Sequence, residues 1–263
     1  MSFFEIIVLG IIQGITEFFP VSSSGHLVIF QFFFGIHEPQ IIADIMLHVG
    51  TLISLVIFMR REILELIQSF LKFCLNPKKN VSDSNIKLLF SLVVATLPTA
   101  CIGYFFSDLF ESLFSSIKTV AVSLIMTGFF LFFTKLAKEK KKDIILHPFL
   151  IGILQGIAIV PGFSRSGLTI GGALFLGWKR KEAAKFSFLL SIPIILGATL
   201  YQLQKAEIHS YPWALLLTGV LTAAAFGYLA LKLLLNLVNK GKFFSFSFYC
   251  FFVGAITVIF AFL

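Results

Sequence analysis

Six long apolar segments dominate the sequence, and they set the limits on what this chain can fold into. They cover residues 41–59, 88–106, 119–134, 186–203, 213–231 and 243–263. A transmembrane helix needs about 20 predominantly apolar residues, and these segments come close to that length or reach it. Segment 213–231 is apolar on every helical face, whereas a strand of a membrane barrel would alternate apolar and polar residues. The chain is therefore predicted to be an all-α, polytopic membrane protein.

The composition excludes a water-soluble fold and gives no sign of a nucleic-acid partner. Of the 263 residues, 58% are hydrophobic and 13% are charged, which is too little charge to cover a soluble surface. The net charge of +8 does not indicate nucleic-acid binding, because no Lys or Arg precedes Arg60 and most of the others flank apolar segments. The first 30 residues have no basic region and no evident cleavage site, so we expect them in the mature protein.

Two further apolar regions are interrupted by polar residues. In the first, residues 2–18 precede FPVSSSG at 19–25; in the second, residues 148–160 precede PGFSRSG at 161–167. The apolar run after each interruption would rise about half of a hydrocarbon core of about 30 Å, at about 1.5 Å per residue. Each region is therefore predicted to be a re-entrant helical hairpin that enters and leaves the membrane on one side.

The distribution of Lys and Arg predicts the orientation. Eighteen of the 21 basic residues lie in four segments, 60–87, 135–142, 179–185 and 232–242. Cytoplasmic loops accumulate basic residues, so these segments are predicted to be inside the cell. Segments 107–118 and 204–212 and both termini are then outside. The first hairpin is flanked by no basic residue and is predicted to enter from outside, while the second enters from inside.

The two hairpins also resemble each other in sequence. A shift of 142 residues aligns LGIIQGITEFFPVSSSG (9–25) with IGILQGIAIVPGFSRSG (151–167), with eight of 17 positions identical and no gap. We predict a single membrane domain, 1–263, made of two inverted-topology repeats at about 1–136 and 147–263, joined by a cytoplasmic linker at about 137–146. Each repeat is a hairpin plus three transmembrane helices. Inverted repeats with broken helices place their binding site near the membrane midplane, where the tips meet.

Few ionisable residues fall within the predicted membrane segments, and each is a functional candidate because burying charge there is costly. Glu17, His26 and Arg165 lie in or beside the two tips, while Asp44 and His48 are one helical turn apart in the first span. For Asp44 and His48, a functional role and a role as a polar support pair remain open. Hydroxyl side chains surround the tip residues: Ser22, Ser23, Ser24, Ser164, Ser166 and Thr169.

These residues together predict an anion site. Helix N-termini offer unpaired N–H groups and the positive end of the helix dipole, which suit phosphate oxygens. Gly25 and Gly167 would let a ligand approach the backbone closely, and Arg165 can bind a phosphate through two parallel hydrogen bonds. Ser23 and His26 are three residues apart, which suggests a nucleophile and base pair on one helical face. The alternative is that the serines and glycines only cap and pack helices.

QGITEFFPVSSSGH (13–26) and PGFSRSG (161–167) resemble the two signature motifs of the bacterial undecaprenyl-diphosphate phosphatase family, membrane enzymes of the bacitracin-resistance type. The resemblance covers essentially the whole chain, including LHVGTL (47–52) and FSFLLSIP (186–193). It implies hydrolysis of undecaprenyl diphosphate to undecaprenyl phosphate and phosphate, which recycles the lipid carrier of cell-wall glycans. It also implies the bacterial inner membrane, an active site open to the outer side, a polyprenyl diphosphate and the bilayer as partners, and leaves a homodimer open.

The resemblance also implies roles for individual residues. It places Glu17, Ser23, His26 and Arg165 as catalytic residues. It places Gln13, Ser22, Ser24, Ser164, Ser166 and Thr169 around the substrate, next to Gly25 and Gly167. The family's first motif has Glu or Gln four residues before a Glu; here these are Gln13 and Glu17, which leaves one carboxylate. The implied divalent cation, Mg²⁺ or Ca²⁺, is therefore expected to arrive with the diphosphate and to contact Glu17.

Two questions stay open from the sequence. Ser23 or His26 could attack the terminal phosphorus with Glu17 orienting or deprotonating His26, or His26 could activate a water. All versions need Arg165 to hold the phosphate. A lipid flippase or transporter, or a protein with both activities, is the alternative function, because inverted repeats with opposed hairpins are the architecture of alternating access. The Glu17, Ser23 and His26 set favours the enzyme.

Overall fold

The computed structural model describes residues 1–36, 40–77, 82–114, 116–139, 143–205 and 212–262. Within these ranges the protein is helical throughout, and no strand is present. We number the α-helices α1 (Phe3–Phe18), α2 (Ser23–Phe33), α3 (Ile41–Phe58), α4 (Arg60–Leu75), α5 (Ser84–Phe105), α6 (Ser107–Phe114), α7 (Ile117–Phe133), α8 (Leu146–Ile157), α9 (Arg165–Phe175), α10 (Arg180–Lys205), α11 (Trp213–Asn239) and α12 (Phe246–Phe262).

Six of these helices are long and apolar enough to cross a membrane, and they coincide with the six predicted segments. They are α3, α5, α7 with its 3-10 extension to Leu136, α10, α11 and α12. Large apolar side chains such as Phe90, Leu97, Leu217, Leu221 and Phe252 are exposed on them. In water such a surface would be very unfavourable, but it is what a bilayer requires. The predicted all-α, polytopic membrane protein is confirmed.

Two pairs of shorter helices carry the two polar motifs. The α1/α2 pair has 16 and 11 residues, and the α8/α9 pair has 12 and 11 residues. An 11-residue helix rises about 16 Å, which is roughly half of the hydrocarbon core. The helices within each pair contact each other. We call residues 19–25 the first tip and residues 161–167 the second tip.

Long helices hold both pairs in place. Helix α1 packs against α11, and α8 packs against α5. The second contact is close: a Cβ added to Gly152 of α8 would lie 2.1 Å from the carbonyl oxygen of Ala95 in α5, so only glycine fits there. Helices α3 and α10 also contact each other, and α7 contacts α12. This packing places the end of α1 and the start of α9 in the interior of the protein.

The base of the first tip lies in the main apolar core. Phe18, the last residue of α1, is fully buried and contacts the ring of Phe188 in α10 edge-on, with centroids 6.1 Å apart. Leu55 of α3 and Leu231 of α11 belong to the same cluster. Close packing of this kind fixes side chains in single rotamers. These apolar contacts therefore anchor the end of α1, and with it the start of the first tip.

Some predictions fall partly outside the described residues. Lys140, Lys141 and Lys142 of the predicted linker lie there, and so does most of the segment 204–212. In the segment 107–118, Ser115 is also outside the described residues. Residues 107–114 of that segment form α6, Ser116 caps α7, and Ile117 and Lys118 are the first residues of α7.

Candidate active site

Both short second helices begin with the same arrangement of serines. Ser22 Oγ accepts a hydrogen bond from the Gly25 N–H at 3.1 Å, and Ser164 Oγ accepts one from the Gly167 N–H at 3.0 Å. Such N-caps satisfy helix-terminal donors. Each capping serine also lies close to the hydroxyl of the serine two residues later, at 3.3 Å in the first tip and 3.2 Å in the second. Capping therefore engages two hydroxyls that were predicted to line the substrate pocket.

The two tips touch each other directly. Ser166 Oγ donates to the carbonyl oxygen of Phe19 at 3.0 Å. A Cβ added to Gly25 would lie 3.1 Å from the Cα of Gly162, which is closer than most side chains tolerate. Gly25 was predicted to admit a ligand close to the backbone; in the structure its missing side chain also lets the second tip approach.

Glu17, the second-last residue of α1, is the centre of the polar cluster between the tips. Its Oε1 accepts from Arg165 Nη2 at 2.5 Å, and its Oε2 accepts from Ser23 Oγ at 2.6 Å and from Gln13 Nε2 at 3.0 Å. His48 Nε2 of α3 lies 3.7 Å from the same Oε2. Four different parts of the chain thus meet on one carboxylate.

The cluster is buried on one side and accessible on the other. The Glu17 side chain is 5% exposed and that of Arg165 15% exposed, whereas His48 is 30% exposed. Ser23 is half-buried. A buried carboxylate is tolerated because it is paired and hydrogen-bonded. Arg165, Ser23 and His48 all keep accessible surface, so a ligand can reach the cluster from their side.

The helix starts add donors to this site. Helix α2 begins at Ser23 and α9 at Arg165, so the positive ends of two helix dipoles lie beside the Glu17 cluster. The serine caps occupy the N–H groups of Gly25 and Gly167, but the two N–H groups before each glycine have no acceptor within the described residues. Free N–H groups at a helix N-terminus bind phosphate oxygens. The arrangement suits an anion with several oxygens.

Ser22 has an unusual backbone conformation. Its φ of 68° is positive, and it is the one residue other than glycine with positive φ in the described ranges. Residues with a side chain rarely adopt this region, and when they do the conformation is held by its surroundings, often at a functional site. Ser22 comes directly before Ser23, so its conformation determines where the Ser23 hydroxyl points.

His26 is buried and forms no hydrogen bond with Ser23 or Glu17. Its Nδ1 lies 2.7 Å from the carbonyl oxygen of Ser22, and its Nε2 lies 2.8 Å from the hydroxyl of Tyr249 in α12. The predicted Ser23 and His26 pair is not formed, because both ring nitrogens have other partners. Glu17 likewise contacts Ser23 and His48 rather than His26. No sequence pattern indicated Tyr249, which lies 223 residues away in an apolar helix.

Asp44 and His48 are brought together, but through the backbone. His48 Nδ1 lies 2.7 Å from the main-chain oxygen of Asp44, and the Asp44 carboxylate accepts from Gln31 Nε2 at 2.7 Å. The bond between His48 Nδ1 and the main-chain oxygen of Asp44 fixes the His48 ring so that Nε2 faces Glu17. His48 therefore belongs to the Glu17 cluster, and Asp44 positions the His48 ring through this main-chain oxygen.

The remaining predicted residues lie around this centre. Thr169 Oγ1 bonds the carbonyl oxygen of Arg165 at 2.8 Å and the hydroxyl of Ser187 at 2.6 Å, which steadies the first turn of α9. Gln13 is fully buried, and its Oε1 has no partner within the described residues. Those residues also contain no group of three or more His, Cys, Asp or Glu side chains that could hold a metal ion without substrate.

Comparison with known proteins identifies the family. The model of a family described as bacitracin resistance protein BacA matches residues 6–256. Curated relatives named undecaprenyl-diphosphatase include one from Halothermothrix orenii, 42% identical, and one from Alkaliphilus metalliredigens, 39% identical, each covering 99% of both chains. One from Carboxydothermus hydrogenoformans is 41% identical over 98% of this chain and 97% of its own. The chain therefore belongs to the bacitracin resistance protein BacA family.

Proposed function

We propose that this protein hydrolyses undecaprenyl diphosphate to undecaprenyl phosphate and inorganic phosphate in the bacterial membrane, and so recycles the lipid carrier of cell-wall glycans. The observation that carries this proposal is the position of Glu17, which binds the Ser23 hydroxyl and the Arg165 guanidinium at the same time. A nucleophile, a base and a phosphate-binding cation thus converge where two helix N-termini meet. The names and full-length similarity of the relatives support the same activity and substrate.

Ser23 is the proposed nucleophile. Its Oγ attacks the terminal phosphorus, its proton passes to Glu17 Oε2, and the bond from that phosphorus to the bridging oxygen breaks. Undecaprenyl phosphate leaves with the bridging oxygen. Glu17 passes that proton to the leaving phosphate and becomes a carboxylate again. Water then attacks the phosphoserine and gives a proton to Glu17, which returns it to Ser23 Oγ as inorganic phosphate leaves. The 2.6 Å contact between Ser23 and Glu17 supports this assignment over His26, whose nitrogens are bound elsewhere.

Arg165 changes partner during this reaction. In the structure it neutralises Glu17. When Glu17 takes the proton of Ser23 it loses its negative charge, so the guanidinium becomes free to bind the phosphoryl oxygens as their charge develops. The free N–H groups at the starts of α2 and α9 bind the same oxygens. Phosphoryl transfer depends mainly on such positioning and charge stabilisation.

A divalent cation, Mg²⁺ or Ca²⁺, is part of the proposal. Both ions prefer oxygen ligands, and Mg²⁺ is often held by one or two carboxylates together with substrate phosphates. The unpartnered Oε1 of Gln13, and the Glu17 carboxylate before it takes the Ser23 proton, would hold the ion with the diphosphate. The bound ion would neutralise charge on the diphosphate. The orphaned amide oxygen of Gln13 supports this assignment, since a buried acceptor without a donor is costly.

We propose the inverted repeat because contacts made by helices of the first half have counterparts among helices of the second half. The contact of α1 with α11 is matched by that of α8 with α5, and the contact of α3 with α11 by that of α10 with α5. If each helix is replaced by its counterpart in the other half (α1 by α8, α3 by α10, α5 by α11), one contact of each pair becomes the other. The last span of each half also supports the tip of the other half: Thr127 bonds Gly162, and Cys250 bonds Pro20.

The orientation follows from the charges. We propose the inner membrane, with both termini and the active site on the outer side, because the basic residues concentrate in segments that would then be cytoplasmic. The substrate diphosphate would reach the Glu17 cluster from the outer leaflet. The prenyl chain would stay in the bilayer beside the short helices.

The test is release of phosphate from a C55 prenyl diphosphate by the detergent-purified protein with Mg²⁺ or Ca²⁺. Arg165→Lys keeps the charge that pairs with Glu17 but loses the forked donor, so turnover should fall about a hundredfold. Arg60→Lys is the matched control, since Arg60 is exposed on α4, and should leave turnover unchanged. A folded wild type that binds the lipid but releases no phosphate would overturn the proposal and favour lipid transport.

A further inference from the structure

We infer that Tyr249 is a positioning residue for this reaction, acting through His26 on the first tip; the inference rests on the proposed function. Tyr249 lies on α12, the last helix, and its hydroxyl is 2.8 Å from His26 Nε2. The two rings stack with an angle of 11° between their planes and centroids 5.7 Å apart. Tyr249 therefore fixes both the plane of the imidazole and the partner of one of its nitrogens.

The hydrogen bonds define the state of the imidazole. A main-chain carbonyl oxygen can only accept, so the Nδ1 of His26 carries the proton in its 2.7 Å bond to Ser22. In the neutral ring Nε2 then has a lone pair, and the Tyr249 hydroxyl donates to it. Neither nitrogen is left to attack phosphorus or to take a proton from Ser23. In this arrangement His26 holds a position rather than transferring a group.

His26 holds the main chain of Ser22 in position. Ser22 has the positive φ of 68° and caps α2, and its carbonyl oxygen is the acceptor of the His26 bond. A strained backbone persists only where surrounding contacts hold it. Ser23, the proposed nucleophile, is the next residue. The chain of contacts from Tyr249 through His26 to the Ser22 peptide therefore keeps the Ser23 hydroxyl directed at Glu17.

The other side of Tyr249 is open. Its ring borders an apolar cavity of about 400 Å³ between the first hairpin and the junction of α11 and α12. The cavity leaves that side of the ring without close packing, and the bond to His26 and the stacking hold the other side. A phenylalanine would keep the stacking and lose the hydroxyl. The hydrogen bond can thus be removed without a change of shape in the core.

The first experiment compares Tyr249→Phe with Tyr228→Phe. Both tyrosines are 43% exposed on apolar helices, but Tyr228 packs against Phe58 and lies outside the cluster. Tyr249→Phe should lower kcat about tenfold with KM almost unchanged, because the lost bond orients the nucleophile rather than the lipid. Tyr228→Phe should leave both constants unchanged. Equal kcat in wild type and Tyr249→Phe would overturn the inference.

The second experiment separates positioning from proton transfer. Asparagine places an amide donor near the position of Nδ1, so His26→Asn should retain measurable turnover where His26→Ala loses it. Asparagine does not reach Tyr249, so adding Tyr249→Phe to His26→Asn should cost nothing further, as expected for two residues that act as one unit. If His26→Asn is as inactive as His26→Ala, or if the two changes add, His26 acts chemically and the inference is wrong.

A spectroscopic readout keeps the inference separate from the proposed function. In ¹⁵N NMR of the imidazole, the wild type should show a protonated Nδ1 and an Nε2 that accepts a hydrogen bond, and Tyr249→Phe should shift the Nε2 signal. This readout does not depend on turnover. Absence of phosphate release from the wild type would defeat the proposed function, whereas an unshifted Nε2 signal would defeat the role of Tyr249.

Discussion

Glu17 and Arg165 are 148 residues apart in the chain, yet their side chains form an ion pair at 2.5 Å between the two tips. Glu17 is the second-last residue of the first helix of one hairpin, and Arg165 begins the second helix of the other. The site therefore exists only when both hairpins are docked. The same contact links the stability of the fold to the chemistry of the site.

Arg165→Ala should abolish turnover and also lower the free energy of unfolding by about 3–5 kcal/mol, because it leaves the buried Glu17 charge without its partner. The double variant Glu17→Gln with Arg165→Ala should regain most of that stability and none of the activity. Denaturant unfolding in detergent, with phosphate release on the same samples, measures both. A single variant as stable as the wild type would show that the pair is not buried as described.

Removal of divalent cations with EDTA should stop phosphate release, and Mg²⁺ or Ca²⁺ should restore it. Since Glu17 is the one carboxylate bonded to Ser23 and Arg165 in the part of the chain that the structure describes, the protein alone should bind the ion weakly. Calorimetry should detect tight metal binding only with a non-hydrolysable prenyl diphosphate analogue. In the same calorimetry Glu17→Gln, which lacks the proposed base and is not expected to turn over, should weaken metal binding in the presence of the analogue, while Glu65→Gln on the exposed side of α4 should not. Tight binding to the lipid-free protein would contradict this account.

Gly152→Ala should destabilise the protein by about 1–3 kcal/mol, because the new methyl group would overlap the Ala95 carbonyl and force α8 away from α5. Gly197 on α10 is the matched control, since a Cβ there meets nothing within 4 Å. Gly197→Ala should be neutral or slightly stabilising. Thermal unfolding in the same detergent compares the two. Equal melting temperatures for the two variants would contradict the close packing of α8.

The orientation can be tested with single cysteines after Cys74 and Cys101, the two exposed native cysteines, are changed to serine. Asp108→Cys on α6 should react with an impermeant maleimide in intact cells, because segment 107–118 is predicted to be outside. Glu65→Cys on α4 should react only after the cells are permeabilised. Both residues are exposed, so access differs only by the side of the membrane. The reverse pattern would invert the proposed topology.

The sequence predicted the spans and the tips because both depend on local composition. The segment predicted at 41–59 is helix Ile41–Phe58, and the one predicted at 213–231 begins at Trp213 and runs on to Asn239. Apolar length alone decides these elements. The polar interruptions likewise indicated the starts of α2 and α9 within a few residues.

The partners within the site could not be predicted in the same way. Spacing along a helix predicted that Ser23 faces His26. In the structure, Ser23 instead forms a hydrogen bond with Glu17, and His26 forms one with Tyr249. Hydropathy does not tell which face of an apolar helix turns inward, so Tyr249 carried no signal. Ser187 carried a weak signal, because it lies in the segment FSFLLSIP that contributed to the family resemblance.

The most direct test of the account is the rate of phosphate release by Ser23→Ala and Ser24→Ala, measured beside the wild type at saturating prenyl diphosphate and Mg²⁺. The two serines are neighbours, and both are half-buried at the start of α2. Loss of the nucleophile should lower kcat at least about a thousandfold in Ser23→Ala, whereas Ser24→Ala should lose about tenfold or less. Near wild-type turnover by Ser23→Ala would show that water or another group attacks phosphorus, and the proposed roles of Ser23 and Glu17 would be wrong.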